Sequence, residues 1–306
     1  YGYLKKSGAL SGMPIDRLEK MNRPAIDLYL SHGIDLSKEY LEIAVCAQHN
    51  NGGLVGDIWW ESNIAHFFPV GEACGTFGVY RPGGSALNST QTGSARAAMY
   101  IAANCGWEPL DCESFAACAA DFVREKLGFA ERLAAKKVGK SNVFDLRKKY
   151  RKRMTAAGAH IRSLQGVEAA LEECAGDLKD FETSTEISAV NELPEVFRNR
   201  DILITQFVYL SAIKEYIKKG GKSRGSYLVM DERGQLPADN LPEMFRFSLD
   251  TGVFLNQVCE IELKTGEAGL PECVAEWKPV RPIPSEDNWF ENVWSEYRKG
   301  NIIKKG

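Results

Sequence analysis

The sequence predicts an α+β fold laid out in successive parts, and three observations carry that expectation. Residues 67–103 place a short apolar run that ends on an acid (Phe67 to Glu72) before a glycine-rich loop (Tyr80 to Gly84) and a helix starting near Ser89. From Glu108 to Ile217 apolar residues recur at helical spacing, which predicts amphipathic helices packed as a bundle. Residues 241–306 alternate apolar and polar positions and close on an aromatic stripe, which predicts a β-hairpin followed by a helix.

Bulk properties narrow the function classes. At 306 residues the chain is long enough for roughly two domains of ~150 residues. A formal net charge of −3 gives no reason to expect nucleic acid or an anionic membrane as the main partner. No apolar run approaches the ~18 residues that a membrane span needs, and no secretory leader is expected. The 8 cysteines form no Cys-x-x-Cys pair and no cluster with histidine. They read as buried, reduced thiols of a cytoplasmic protein, with neither a disulfide frame nor a metal site.

Residues 1–40 contain two short helices, Met13 to Leu18 and Asn22 to Leu30, the second with Pro24 in its first turn and a stop at His32-Gly33. His32 reads as a structural cap residue. Leu41 to Ala47 is an apolar run of strand type. It leads to Gln48-His49-Asn50-Asn51-Gly52-Gly53, where the glycine pair permits a close approach of main chain to a ligand. Trp59-Trp60 reads as a core wall or as a lid over a flat ring, and His66 as a surface residue.

Glu72, at the end of its predicted strand, is placed to accept hydrogen bonds from vicinal hydroxyls of a ligand. The first amides of the next helix, around Asn88, Ser89, Thr90 and Gln91, offer partial positive charge to an electron-rich group. Gly93, Ala95, Ala97 and Ala98 give that helix a small-residue face. Together these features describe half of a cofactor cradle.

Downstream, Phe115, Cys118, Ala119, Phe122 and Leu127 form one apolar stripe, with a stop at Gly128. A second stripe runs from Val143 through Leu146, Tyr150, Met154, Ala157 and Ile161 to Leu164, and continues to Leu178. A further helix spans 201–217 and stops at Gly220-Gly221. Residues 131–153 carry ten basic residues against two acids, read as a solvated helix face in preference to a nucleic-acid site. His160 reads as an interhelical residue. Residues 245–249 and 253–263 are the expected hairpin arms around Asp250-Thr251-Gly252, with Val274 to Trp277 as an added strand. Ser285 is the expected cap of a last helix whose Trp289, Phe290, Val293, Trp294 and Tyr297 suit a core or a subunit contact.

The stretch Asp57 to Ala98, with Phe67-Phe68-Pro69-Val70-Gly71-Glu72 and Leu87-Asn88-Ser89, resembles the later flavin-binding segment of the fumarate reductase/succinate dehydrogenase flavoprotein superfamily. A second block, Lys222-Ser223-Arg224-Gly225-Ser226 with Asp231, resembles a block of that family's C-terminal helical domain and follows in the right order. The resemblance implies a partial FAD-binding, Rossmann-like domain segment. It assigns 1–40 to the tail of a capping domain and its return, 41–108 to the FAD-binding domain, 109–240 to a helical bundle, and 241–306 to a hairpin and helix.

The resemblance implies that Glu72 binds the ribityl hydroxyls of FAD and that the helix start at Asn88-Ser89 faces the flavin ring. Gly52 and Gly53 would approach the cofactor. Two candidate catalytic residues follow from it. Arg81, in the glycine-rich loop, matches the family's clamp on a substrate carboxylate, although it stands further from Asn88 than in the family pattern; a plain surface arginine is the other reading. His49 stands near the family's substrate histidine, which strict alignment places at Gln48; a loop histidine packed on backbone is the other reading. Arg224 is read as an interdomain residue.

The implied activity is hydride transfer between FAD and a small carboxylate, with an electron-donor protein or a second copy of the chain as partner. No Gly-x-Gly-x-x-Gly occurs, so the nucleotide-binding half and the proton-transferring arginine are expected upstream of Tyr1, leaving these residues alone catalytically silent. The competing reading is a non-catalytic module that recruits a redox partner or a second subunit.

Overall fold

The structure, a computed structural model, describes residues 2–8, 10, 12–43, 52–75, 77, 85–106, 108–136, 139–225, 227–266, 271–282 and 284–302. Its chain contacts define two units, Tyr1–Gln48 and His49–Gly306. The first holds helices α1 (Gly2–Lys6) and α2 (Pro14–Ser31). Pro14 opens α2, where a missing N–H leaves no bond unmade. The two helices read from the sequence are joined across a kink: Asn22 leaves helical geometry (φ −156, ψ 67), and its side-chain oxygen accepts from the Ala25 amide at 3.3 Å. Pro24 thus lies in the first turn of a freshly capped segment. Gly33, at φ +82, ends the helix, and His32 Nδ1 meets the Leu28 carbonyl at 2.8 Å, a structural role. Residues 41–43 carry no regular structure, and the rest of the strand expected to reach Ala47 lies outside the described residues.

The second unit begins with irregular chain over 52–75 and then α3 (Ser85–Asn104), α4 (Cys112–Ala135), α5 (Val143–Gly158), β1 (Ile161–Arg162), α6 (Leu164–Lys179), α7 (Phe181–Ser184) and α8 (Leu193–Lys218). The continuous stripe expected from Val143 to Leu178 is broken at Gly158, and the chain turns back as α6. Ser163 starts α6 by accepting from the Gly166 amide at 3.1 Å. Replacing it, Ser163→Ala, is expected to cost about 1 kcal/mol, read as a lower urea midpoint at unchanged slope.

α5, α6 and α8 pack around Tyr150, Val143, Val167, Cys174, Val196, Leu203 and Leu210, all at most 1% exposed. The C-terminal half of α4 joins them through Phe129 and Leu133, with Phe129 5.5 Å from the Phe197 ring. Gly128 does not end α4, because the helix gains this packing beyond it. Phe115, Phe122 and Leu127, the expected core face of α4, are exposed.

The basic run is also not one solvated face. Arg147 is buried, donating to Asn199 (2.8 Å) and to Glu195, and Arg153 is buried against Asp177, Glu173 and Gln206. Acids and amides from α6 and α8 neutralise these two, while Lys148, Arg151 and Lys152 remain exposed. His160 is exposed too, contrary to its interhelical reading; its carbonyl accepts from the Leu228 amide.

Two small sheets follow. β2 (Leu228–Gln235) pairs β1 in parallel, with Arg162 opposite Val229. β3 (Gln257–Thr265) pairs β4 (Pro271–Pro279) antiparallel, with Cys259 opposite Trp277. The hairpin therefore sits further along the chain than expected, and Val274 to Trp277 lies in one of its arms. Phe247 and Leu249 instead make isolated bridges to Met230 and Ser223, and Phe245 ends a 3₁₀ turn. The inward side of the hairpin lies on α8, where Trp277 Nε1 donates to Glu215 at 2.8 Å and Cys273 touches the core. The last helix, α9 (Trp289–Arg298), starts at Asn288 and not at Ser285; its Trp289, Phe290, Trp294 and Tyr297 are exposed, so they are not core. Cys112 and Cys118 are exposed as well, against the expectation of buried thiols. Among the described residues no helix is long and apolar enough to cross a membrane.

Candidate cofactor cradle

Asp57 organises the irregular segment in front of α3. Its carboxylate accepts from the amides of Trp59 (2.7 Å) and Glu61 (3.0 Å), and its own amide donates to the Glu61 carbonyl. This tight turn puts Trp60 at φ +66, a conformation that side chains rarely adopt. The Trp60 indole is thereby laid on α3 at Gly93, where an added Cβ would lie 2.7 Å from the ring. Trp59 stacks on Tyr100 (5.5 Å between ring centres), and Arg96 covers it at 4.6 Å while donating to the Ile58 carbonyl at 3.2 Å. The paired tryptophans form a wall against α3. On that helix Gly93 and Ala97 are buried, whereas Ala95 and Ala98 are exposed.

The strand expected to end on Glu72 is absent. Residues 67–70 run without ladder bonds into a 3₁₀ turn, Gly71–Ala73. Gly71 is buried at φ +66, and a Cβ there would lie 3.2 Å from Thr90 Cγ2. The turn thus rests on α3, and the next residue, Glu72, is exposed beside that helix. Leu54 locks the turn from the other side: its amide donates to the Ala73 carbonyl at 2.8 Å and its carbonyl accepts from Gly75 at 3.0 Å. Gly53 is required by this closeness, since its Cβ would lie 2.6 Å from the Ala73 carbonyl oxygen. The chain that approaches Gly53 is the protein's own main chain, and Gly52 beside it is exposed.

The structure brings Gly71, with Glu72 next to it, onto Thr90 and leaves two expected residues apart. At ~100° per residue, Asn88 and Gln91 fall on the side of α3 away from the face that buries Gly93 and Ala97, and both are exposed. The helix opens at Ser85, one turn before the expected start. Its amides without intrahelical acceptors are therefore those of Ser85, Ala86 and Leu87, while those of Ser89 to Gln91 serve the helix itself. The Thr90 hydroxyl donates to the Ala86 carbonyl at 2.8 Å. Arg81, His49 and Gln48 lie outside the described residues. As a flavin cradle the residues fit in part: an acid on a left-handed turn at a helix opening suits ribityl hydroxyls and an electron-rich ring edge, and Asn88 and Gln91 do not share in it.

The second sequence block is a compact polar knot. Lys222 Nζ and the Ser248 hydroxyl each donate to Asp231 Oδ2 at 2.8 Å, and Arg224 faces Asp250 at 3.7 Å with both side chains largely buried. Lys222 above all, then Ser248 and the Arg233 amide, hold the Asp231 carboxyl down at about 2. A carboxyl depressed in the folded state stabilises fully above its unfolded value near 4, and that contribution fades as pH falls through about 2. Asp231→Asn is expected to flatten the acid side of a stability-against-pH curve, followed by urea melts from pH 5 downward. Asp57 and Arg96 carried no sequence motif, and Asp250 only that of a turn; an Asp two residues before a Trp pair hinted at an Asx turn.

No model of a known protein family matches the chain. One component of the fumarate reductase (CoM/CoB) of Methanothermobacter marburgensis is 33% identical over 96 residues, 31% of this chain and 18% of that protein. An uncharacterized FAD-dependent oxidoreductase of Methanocaldococcus jannaschii is 26% identical over 254 residues, 81% of this chain and 45% of that protein. A solved structure of quinol-fumarate reductase with menaquinol molecules shares the fold at a TM-score of 0.59 and 18% identity, over 90% of this chain and 44% of that one. The chain spans less than half the length of these relatives. The chain is thus similar to part of the flavoprotein oxidoreductase class, in sequence to the two relatives and in fold to the solved structure. Within that class, the chain is similar to proteins of the fumarate reductase/succinate dehydrogenase flavoprotein superfamily.

Proposed function

We propose that residues 52–104 are the part of an FAD-dependent oxidoreductase that grips the ribityl chain and ring end of the flavin, and that the whole protein acts on a small carboxylate. The observation that carries the reading is Gly71: its left-handed turn against Thr90 sets Glu72 beside the opening of α3. Glu72 accepts hydroxyl hydrogens, and the first turn of α3 presents amides to negative charge on the ring edge. FAD, when bound, supplies the hydride-accepting centre. Arg81 is the proposed fork for the substrate carboxylate and His49 a proposed contact on the substrate side. We place proton transfer outside these residues, so the 306-residue chain alone is expected to be inactive. The proposed division into capping tail (1–40), flavin domain (41–108), bundle (109–240) and hairpin with helix (241–306), and a cytoplasmic location, belong to the same reading.

Glu72→Ala, made in the full reading frame that carries these residues, is expected to weaken FAD binding about tenfold, the loss of a charge-assisted hydrogen bond or two. Flavin fluorescence titration reads this directly. Unchanged affinity would remove Glu72 from the cradle.

The exposed aromatic stripe of α9 favours a second reading, a docking module for an electron donor or a second copy of the chain. Light scattering with and without residues 285–306 decides it. A drop in mass with intact circular dichroism supports the module, and an unchanged mass rejects it.

A further inference from the structure

Arg162 is held on two sides and open on the third. It ends β1, in register with Val229 of β2. Its Nε donates to the Ala159 carbonyl at 2.7 Å, and its guanidinium carbon lies 4.1 Å from the centre of the Tyr227 ring. Tyr227 is braced edge-on by Tyr216 (5.9 Å, 89°), whose hydroxyl is tied to the Lys222 carbonyl at 2.7 Å. Position and plane of the guanidinium are therefore fixed before anything binds.

A sunken arginine ordinarily has a carboxylate, because an unpaired charge out of water is costly. Arg147 has Glu195, Arg153 has Glu173 and Asp177, and Arg224 has Asp250. Half-buried Arg162 has no such partner among the described residues, and its two terminal nitrogens have no protein acceptor there. Burial, the largest influence on it, disfavours its charge.

We propose that the open edge of Arg162 is a seat for a small carboxylate anion, whose two oxygens take the two terminal N–H groups while Tyr227 backs the guanidinium. The planar fork matches a planar carboxylate in a bidentate pair, which an ammonium cannot reproduce. Because the fork is already fixed, little side-chain freedom is lost on binding. This site uses none of the cradle residues and stands or falls apart from them.

The test follows the Nε–H resonance of Arg162 in nitrogen-15 spectra of the 306-residue chain, assigned by its absence in Arg162→Lys. Sodium succinate is expected to shift it saturably, and uncharged succinamide to leave it in place. Tyr227→Leu, which keeps the fork and removes its backing, is expected to weaken the succinate response severalfold, and it carries the test if Arg162→Lys does not fold. Light scattering on the same samples separates a free anion from a protein carboxylate. A dimer whose Arg162 signal ignores succinate would mean that a second copy fills the seat, and the proposal of a free-anion site fails. No saturable shift in the monomer, or an equal response in Tyr227→Leu, overturns it as well.

Discussion

Gly93→Val is expected to abolish flavin retention while leaving the packed helices α5, α6 and α8 intact. Even a methyl at this position would lie 2.7 Å from Trp60 Cε2 and 2.8 Å from its Nε1. Helix propensity alone would favour losing the glycine for valine by only about 0.3 kcal/mol, so any destabilisation measures the clash. Overpacking costs roughly 1–3 kcal/mol where neighbours can yield, and more where they cannot. Trp60 is pinned by the Asp57 turn at a strained φ, so yielding means lifting residues 57–74, with Glu72 among them, off α3. The segment buries only Pro69, Gly71 and Cys74, and its other ties to α3 run through Trp59 and Phe68 on Tyr100 and through Arg96 to the Ile58 carbonyl, contacts that the same lifting would break. FAD content after gel filtration of the full reading frame product, beside the melting temperature of the helices, reads both halves of the expectation. Flavin kept at the parental level would mean that the wall against α3 does not matter to the cradle.

Asn199→Leu should do the opposite, weakening the packed helices and sparing the flavin. Asn199 is 1% exposed; its oxygen accepts from Arg147 Nε at 2.8 Å and its amide donates to the Val143 carbonyl at 2.8 Å. Leucine matches its bulk and leaves both groups unsatisfied, one of them on a charged side chain. Glu195 still neutralises Arg147, so the expected cost is about 3 kcal/mol and not more. For a unit of this size that lowers the melting temperature by roughly 10 °C. Thermal melts by circular dichroism check it; a change within about 2 °C would show that water replaces the lost bonds.

The two variants divide the molecule along the line between what the sequence made legible and what it hid. Helices with a one-sided apolar stripe, α5, α6 and α8, are readable because the stripe is buried. Tyr150, Val167 and Leu210 are all core. The α4 stripe misleads because spacing reports a face and not what covers it, and Phe115 and Phe122 remain exposed. Charge patterning fails for the same reason, since the acids and amides that bury Arg147 and Arg153 come from other helices, far away in sequence.

Strands suffer most. β2 reads Leu-Val-Met-Asp-Glu-Arg-Gly-Gln, too polar for a strand signal, and its pairing with β1 is long-range. Gly252, at φ +84, marks a real turn, but the ladder begins beyond it at Gln257. In the cradle, the order acid, glycine loop, helix is legible and the conformation is not. Phe67 to Val70 looks like a strand by composition, yet finds no neighbouring strand among the described residues, and Gly71 serves a left-handed turn that no pattern announces. The early start of α3 at Ser85 moves its open amides one turn back from those expected, and the spacing of Asn88 and Gln91 from Gly93 and Ala97 puts both on the far side.

Hydrogen exchange of the full reading frame product, with FAD bound and after its removal, tests the cradle most directly. Bound FAD should slow exchange at Gly71 to Cys74 and at Ser85 to Leu87, the two segments that Gly71 and Thr90 bring together, while the core amides of α8 stay unchanged. Protection that appears only elsewhere in the chain, with these two segments indifferent to the flavin, would contradict the assignment.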